Sequence, residues 1–218
     1  MNNLFVPFIL SIVALLFVVT LIFAVKGIKK RISLSYVKSG MIKMPYSEEA
    51  EKGVKAIVNT ANFPIAIDLV IEHIGKTSDI YVTTEKRYFS RFQKLAEKNI
   101  SQKYEIREED YLVFHHGGFT EALACEMNKE EALQTSFRGI DMSKVNEIGE
   151  GAAVRMIFIP GREATIQMFF SAPSQFQLRE IVEGAAAAFK GKGCHVPKNK
   201  ELAIAEFNSP DFLYKAAK

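Results

Sequence analysis

Only two cysteines, Cys125 and Cys194, occur among the 218 residues. Two thiols without metal-like spacing do not make a disulfide framework, and a reducing compartment suits them. Acidic residues are missing altogether from residues 1–45, which hold Lys26, Lys29, Lys30, Arg31, Lys38 and Lys43. The formal net charge of +3 is therefore unevenly spread: with six of the 28 basic residues there, 22 remain against all 25 acidic ones in residues 46–218. The basic character belongs to the start of the chain. A slightly acidic remainder excludes broad nucleic-acid binding.

Charge of either sign is missing from Leu4 to Val25 (LFVPFILSIVALLFVVTLIFAV), a run of 22 residues. As a helix it would reach about 33 Å, enough to cross a hydrocarbon core of ~30 Å. Pro7 lies in the first turns, where it costs little. A cleavable signal peptide would need a basic n-region and a small-x-small site; Met1-Asn2-Asn3 has no Lys or Arg, and no such site follows Phe23. The expectation is a retained single-pass anchor. Lys26, Lys29, Lys30 and Arg31 follow it, so the positive-inside rule puts the C-terminal part in the cytoplasm, below the inner (plasma) membrane. The same four residues are the candidate membrane-surface contacts, each attracting anionic headgroups by roughly 1 kcal/mol.

The rest reads as α+β. After a tail at 1–3 and the anchor at 4–25, residues 26–46 have no clear period and read as a basic juxtamembrane stalk. Residues 47–193 form the domain, and 194–218 form a helical C-terminal extension. Ser47 caps a helix with Glu48 and Glu49 in its first turn. Ala50, Val54, Ile57, Val58 and Ala61 give that helix one apolar face. Ile65, Ile67, Leu69 and Ile71 alternate with Ala66, Asp68, Val70 and Glu72, predicting a half-buried strand paired with Asp79–Thr84 in a hairpin. An amphipathic helix follows, with Tyr88, Phe89, Phe92, Leu95 and Ala96 inward. Strands are predicted around Lys103–Arg107 and Tyr111–Phe114, then Phe119–Met127, Ala152–Ile159 and Ala164–Phe170, with a short helix at Asp141–Ile148. A helix over Gln175–Phe189 opens on Ser174, with Gln177 three residues on as in a capping box. The pattern predicts an antiparallel sheet with helices packed on one face, ferredoxin-like or related. After Gly193 no strand is legible to cover Leu202, Ile204, Phe207, Phe212, Leu213 and Tyr214. Either these return to the domain, or the chain belongs to a longer whole.

Chemistry-bearing motifs are equally sparse. His115-His116-Gly117-Gly118 could suggest an esterase oxyanion hole, but no G-x-S-x-G elbow accompanies it. His73, His115, His116, Cys194 and His195 have no metal-ligand spacing, and neighbours on a strand point to opposite faces. No phosphate-binding loop is present, and Gly191-Lys192-Gly193 reads as a helix stop. Glu108-Glu109-Asp110 reads as a solvated edge that discourages strand pairing. The sequence supports no catalytic residue, no metal, no cofactor and no small-molecule substrate. Two readings other than a protein-contact role stay open: a membrane-tethered small-molecule or lipid-binding domain, and, less favoured, a membrane-bound hydrolase using His115 or His116.

Three stretches, FPIAIDLVIEHIGKTSDIYVTTEKRYFSRFQKLAEK (63–98), KYEIREEDYLVF (103–114) and GEGAAVRMIFIPG (149–161), carry a resemblance. In the order anchor, strand-rich block, E-E-D-Y and E-G-A-A, the chain over roughly residues 1–170 resembles one known region. That is the membrane-anchored N-terminal region, of unassigned function, on conjugation-type (type IV secretion) ATPases of small-genome candidate-phyla bacteria. The resemblance implies a cytoplasmic scaffold or adaptor tying a hexameric motor to the membrane. Its implied partners are the lipid bilayer and either the motor ATPase or further copies of the chain. No nucleotide-binding residue is implied, because the ATPase itself is not among the matched residues.

Overall fold

The computed structural model describes Val18 and residues 39–71, 79–107, 118–138, 151–191, 193–209 and 212–218. The chain divides into two units, Met1–Val37 and Lys38–Lys218, and the description concerns the second. Apart from Val18, the predicted anchor lies outside the described residues. So do Lys26, Lys29, Lys30, Arg31, His73, Glu108–Asp110, Tyr111–Phe114, His115, His116 and the predicted helix 141–148. Among the described residues no helix is long and apolar enough to cross a membrane.

The first half runs β1 (Ser39–Pro45), α1 (Glu48–Thr60), β2 (Ile65–Ile71), β3 (Asp79–Glu85), α2 (Phe89–Asn99) and β4 (Glu105–Arg107). The second runs β5 (Phe119–Met127), α3 (Lys129–Arg138), β6 (Gly151–Phe158), β7 (Ala164–Ala172) and α4 (Gln175–Ala188). Two further helices, α5 (Lys200–Phe207) and α6 (Phe212–Ala216), come last. All the described strands join one sheet, seven-stranded among the described residues, in the order β4-β1-β3-β2-β6-β7-β5, and its described pairings are antiparallel. The α+β class with an antiparallel sheet thus agrees with the sequence pattern.

The halves repeat one connectivity. β1 and β2, joined through α1, lie on either side of β3; β5 and β6, joined through α3, lie on either side of β7. After α2, β4 returns to pair with the outer edge of β1. After α4, the equivalent place beside β5 holds, among the described residues, a single antiparallel bridge, Ala124 to His195. The two halves of the sheet meet edge to edge where β2 pairs with β6.

Local signals account for most elements. The Ser47 hydroxyl accepts the Ala50 N–H at 3.0 Å, satisfying one of the amides that a helix start leaves unpaired. Ser174 does the same for α4, accepting from Gln177 N–H at 3.3 Å and donating to Gln177 Oε1 at 2.7 Å. Ala50, Val54, Ile57 and Val58 of α1 and Phe92 and Ala96 of α2 are buried. They join Ile65, Ile67, Leu69, Val154, Met156, Ile166 and Met168 in the main core. α1 and α2 approach closely at Gly53, where an added Cβ would stand 2.7 Å from the Asn99 carbonyl oxygen. Backbone cannot yield as a side chain does, so Gly53→Ala should lower stability by about 1–3 kcal/mol, read from the urea midpoint. An unchanged midpoint would mean the two helices separate freely.

Three expectations are corrected. Residues 39–45 are not stalk but strand β1, seated between β3 and β4. Their buried side chains are Met41, Ile42 and Met44; methionine carries little β signal, and Gly40 and Pro45 read as breakers. Second, helices cover both faces of the sheet. α1 to α4 lie over one face, while α5 and α6 bring Phe207, Phe212 and Leu213 onto the other, against Ala66, Tyr81, Ala153, Ile157 and Phe169. Third, β2 is not half-buried, since Ala66, Asp68 and Val70 are covered as fully as Ile65, Ile67 and Leu69. Of the terminal apolar residues, Ile204, Phe207, Phe212 and Leu213 return to the domain, while Leu202 stays exposed.

Candidate functional site

Two charged residues stand in the middle of the sheet. Asp68 of β2 and Arg155 of β6 are directly opposite each other across the junction of the two halves, and both are 0% exposed. Arg155 Nε donates to Asp68 Oδ1 at 2.6 Å and Nη2 to Oδ2 at 3.2 Å. Its Nη1 donates to the Phe207 carbonyl oxygen at 2.7 Å. The guanidinium carbon is 3.8 Å from the Phe207 ring centroid and 3.7 Å from that of Phe212. Arginine suits the place because its planar fork binds a carboxylate twice while its flat faces stay free for aromatic rings. Burial pushes the Asp68 carboxyl up from its ordinary range; the charge and hydrogen bonds of Arg155 pull the other way. The pair is sealed from solvent and offers no group to a substrate. It clamps the C-terminal segment onto the sheet.

That segment reaches the second face by passing round the edge of β5. Gly191 and Gly193, at φ +81° and +69°, turn the chain out of α4, a backbone region open to glycine. Cys194 then forms a disulfide with Cys125 of β5. His195 and Ala124 exchange two backbone hydrogen bonds, each 2.9 Å. Lys200 Nζ donates to the Thr120 carbonyl oxygen at 2.8 Å. The two cysteines, read from the sequence as no disulfide framework and as suited to a reducing compartment, are bonded to each other: separated by 69 residues, they are brought together by the return of the chain along β5.

A cleft of about 610 Å³ opens where β5, α4 and α5 meet, lined by Phe119, Leu178, Ile204, Glu121, Lys200 and Glu201 among others. Two of its charged groups are engaged, Lys200 with the Thr120 carbonyl and Glu121 with the Ala122 N–H at 3.1 Å. Of the candidate metal ligands, His73, His115 and His116 lie outside the described residues, Cys194 is spent in the disulfide, and the exposed His195 ring has Nδ1 3.5 Å from its near neighbour Gly193 O. Among the described residues no group of three His, Cys, Asp or Glu side chains could hold a metal ion. Asp68 and Arg155 were not singled out from the sequence as a pair. The signal available was one charge of each sign, each alone inside an apolar strand.

No protein-family model matches the chain, and no curated protein sequence does. Solved structures with a similar course include CrmK, a flavoenzyme in caerulomycin biosynthesis, at 10% identity and TM-score 0.48, covering 71% of this chain and 42% of that one. A glycopeptide hexose oxidase complexed with teicoplanin has 7% identity and TM-score 0.44 over 69% of this chain and 40% of its own. BBE-like 1 from Physcomitrella patens has 10% identity and TM-score 0.45 over 82% and 48%. The chain spans less than half the length of each. Likeness at this level carries no activity across.

Proposed function

We propose that this chain is a membrane-anchored scaffold or adaptor of a secretion- or conjugation-like apparatus, without catalytic chemistry of its own. It would act by contacts with a motor ATPase or with further copies of itself. The observation that carries this reading is the closure of the sheet. Among the described residues both faces are covered by the chain's own helices and filled with side chains, which favours contact with other molecules through edges and helix surfaces. Each half follows the β-α-β-β connectivity of a ferredoxin-like unit, and we read the domain as two such units side by side. The uncharged run at 4–25 and the Lys26, Lys29, Lys30, Arg31 cluster support a single-pass anchor with the domain on the cytoplasmic side. A disulfide in that compartment belongs to the transient, redox-responsive kind.

The test is membrane fractionation of cells producing the full chain with a C-terminal affinity tag. The chain should resist carbonate extraction, its tag should be reached by protease only after the inner membrane is opened, and a hexameric motor ATPase should co-purify in stoichiometric amount. A chain that washes off, or that purifies with neither an ATPase nor its own copies, would sink the reading. A second reading, a membrane-tethered lipid or small-molecule domain, rests on the 610 Å³ cleft with its apolar Phe119, Leu178 and Ile204. Lipid retained at one molecule per chain, and lost in Ile204→Trp, would favour it.

A further inference from the structure

The outer edge of β5 is closed by an unusual means. Because Ala124 exchanges both of its hydrogen bonds with His195, its N–H and C=O point away from β7. The period of two then turns those of Thr120, Ala122 and Glu126 outward as well. Several of these groups are occupied one at a time: Thr120 C=O by Lys200, Ala122 N–H by the Glu121 carboxylate, and both groups of Ala124 by His195. In the first half the same place is filled by β4, which pairs with β1 at three positions. Here, among the described residues, a single residue pair does the work, beside a disulfide at the next position, Cys125–Cys194. A one-pair strand holds itself weakly, and the covalent bond takes the place of strand length.

We infer that the outer edge of β5 is a strand-pairing surface for a second copy of this chain, held shut by residues 194–200 and opened when the Cys125–Cys194 disulfide is reduced. The inference rests on the self-contact part of the function proposed above. In the opening step a dithiol supplies two electrons and two protons. The Sγ–Sγ bond breaks, Cys125 and Cys194 become thiols, and the dithiol becomes a disulfide. The short bridge at His195 then lets go, while Arg155 still grips Phe207 and Phe212 on the second face.

The edge is self-complementary. Antiparallel pairing of β5 with a second β5 about Leu123 sets Ala122 against Ala124 and Thr120 against Glu126, with outward groups meeting outward groups. Glu121 falls opposite Cys125, so no like charges oppose each other. The small side chains of Ala122 and Ala124 let the seam close, and the contact is isologous, the closed two-fold form commonest among dimers.

The experiment uses the full chain in detergent micelles, its protein mass measured by light scattering with and without dithiothreitol. The oxidised chain should be monomeric. The reduced chain, and the Cys125→Ser/Cys194→Ser variant without reductant, should have twice the mass. In that variant Ala124→Pro removes an outward N–H without touching the ladder to β7 and should restore the monomer. Leu123→Cys in the same background should cross-link into a dimer on oxidation, since the register places it opposite its own copy. An equal mass in both redox states, a dimer that persists in Ala124→Pro, or no cross-link at Leu123→Cys in a folded protein would overturn the inference. Co-purification of an ATPase would be unaffected by any of these results, so the two ideas fail separately.

Discussion

Replacing Arg155 by alanine should lower the free energy of unfolding by about 3–5 kcal/mol. The loss does not measure the worth of an ion pair, since a buried pair often contributes little against hydrophobic residues of similar volume. It comes from what remains: an Asp68 carboxylate 0% exposed with its bidentate partner gone, and a Phe207 carbonyl without its donor. Two aromatic rings also lose the flat cation between them. The control is the double change Asp68→Leu/Arg155→Met, which removes both charges and should recover most of the loss. Urea unfolding of the three proteins reads the difference, and amide exchange across 200–216 reads the fate of the C-terminal segment. A single variant as stable as the parent would mean that water reaches Asp68, and the description of a sealed pair would be wrong. A double variant no better than the single one would place the cost in the lost clamp rather than in the orphaned carboxylate.

Loss of the disulfide should be nearly as costly. Cys125 and Cys194 close a loop across a sequence separation of 69, and the chain-entropy account assigns a bond over such a span roughly 4 kcal/mol through the unfolded ensemble. Urea titrations of the oxidised chain and of Cys125→Ser/Cys194→Ser should differ in midpoint and leave native β structure intact in both. Coincident midpoints would show that the covalent link restricts nothing in the unfolded chain.

The fold was legible where local chemistry and packing agree. Ser47 and Ser174 announced helix starts, the alternation of Ile65, Ile67 and Leu69 announced β2, and Asp79 opened β3 as read. β1 was hidden because Met41, Ile42, Lys43 and Met44 carry no clean period and sit between Gly40 and Pro45; its strand character comes from β3 and β4 on either side. α3 was missed for a related reason, with Lys129, Glu130 and Glu131 ahead of the buried Ala132 and Leu133. Placement of helices on a second face lay beyond any local signal. It depends on Phe207 and Phe212 finding Arg155, a contact between residues 52 apart or more. The same holds for the clamp itself. Asp68 looked like an ordinary outward residue of a half-buried strand, because only the returning chain covers it. The cysteine pair is non-local in the same sense.

The lateness of that cover has a consequence for synthesis. Phe207 follows Ala172, the end of β7, by 35 residues, so at about 5–20 residues per second the ribosome needs roughly 2–7 s to deliver it once the four central strands are complete. During that interval β2, β3, β6 and β7 can already pair, yet Ala66, Tyr81, Ala153, Ile157 and Phe169 face water around an ion pair that still lacks its aromatic lid. A nascent chain of this kind presents a broad apolar plate with a single pair of charges at its centre, which is the surface that holding chaperones recognise. The final helices thus set the moment at which this apolar plate leaves water during synthesis.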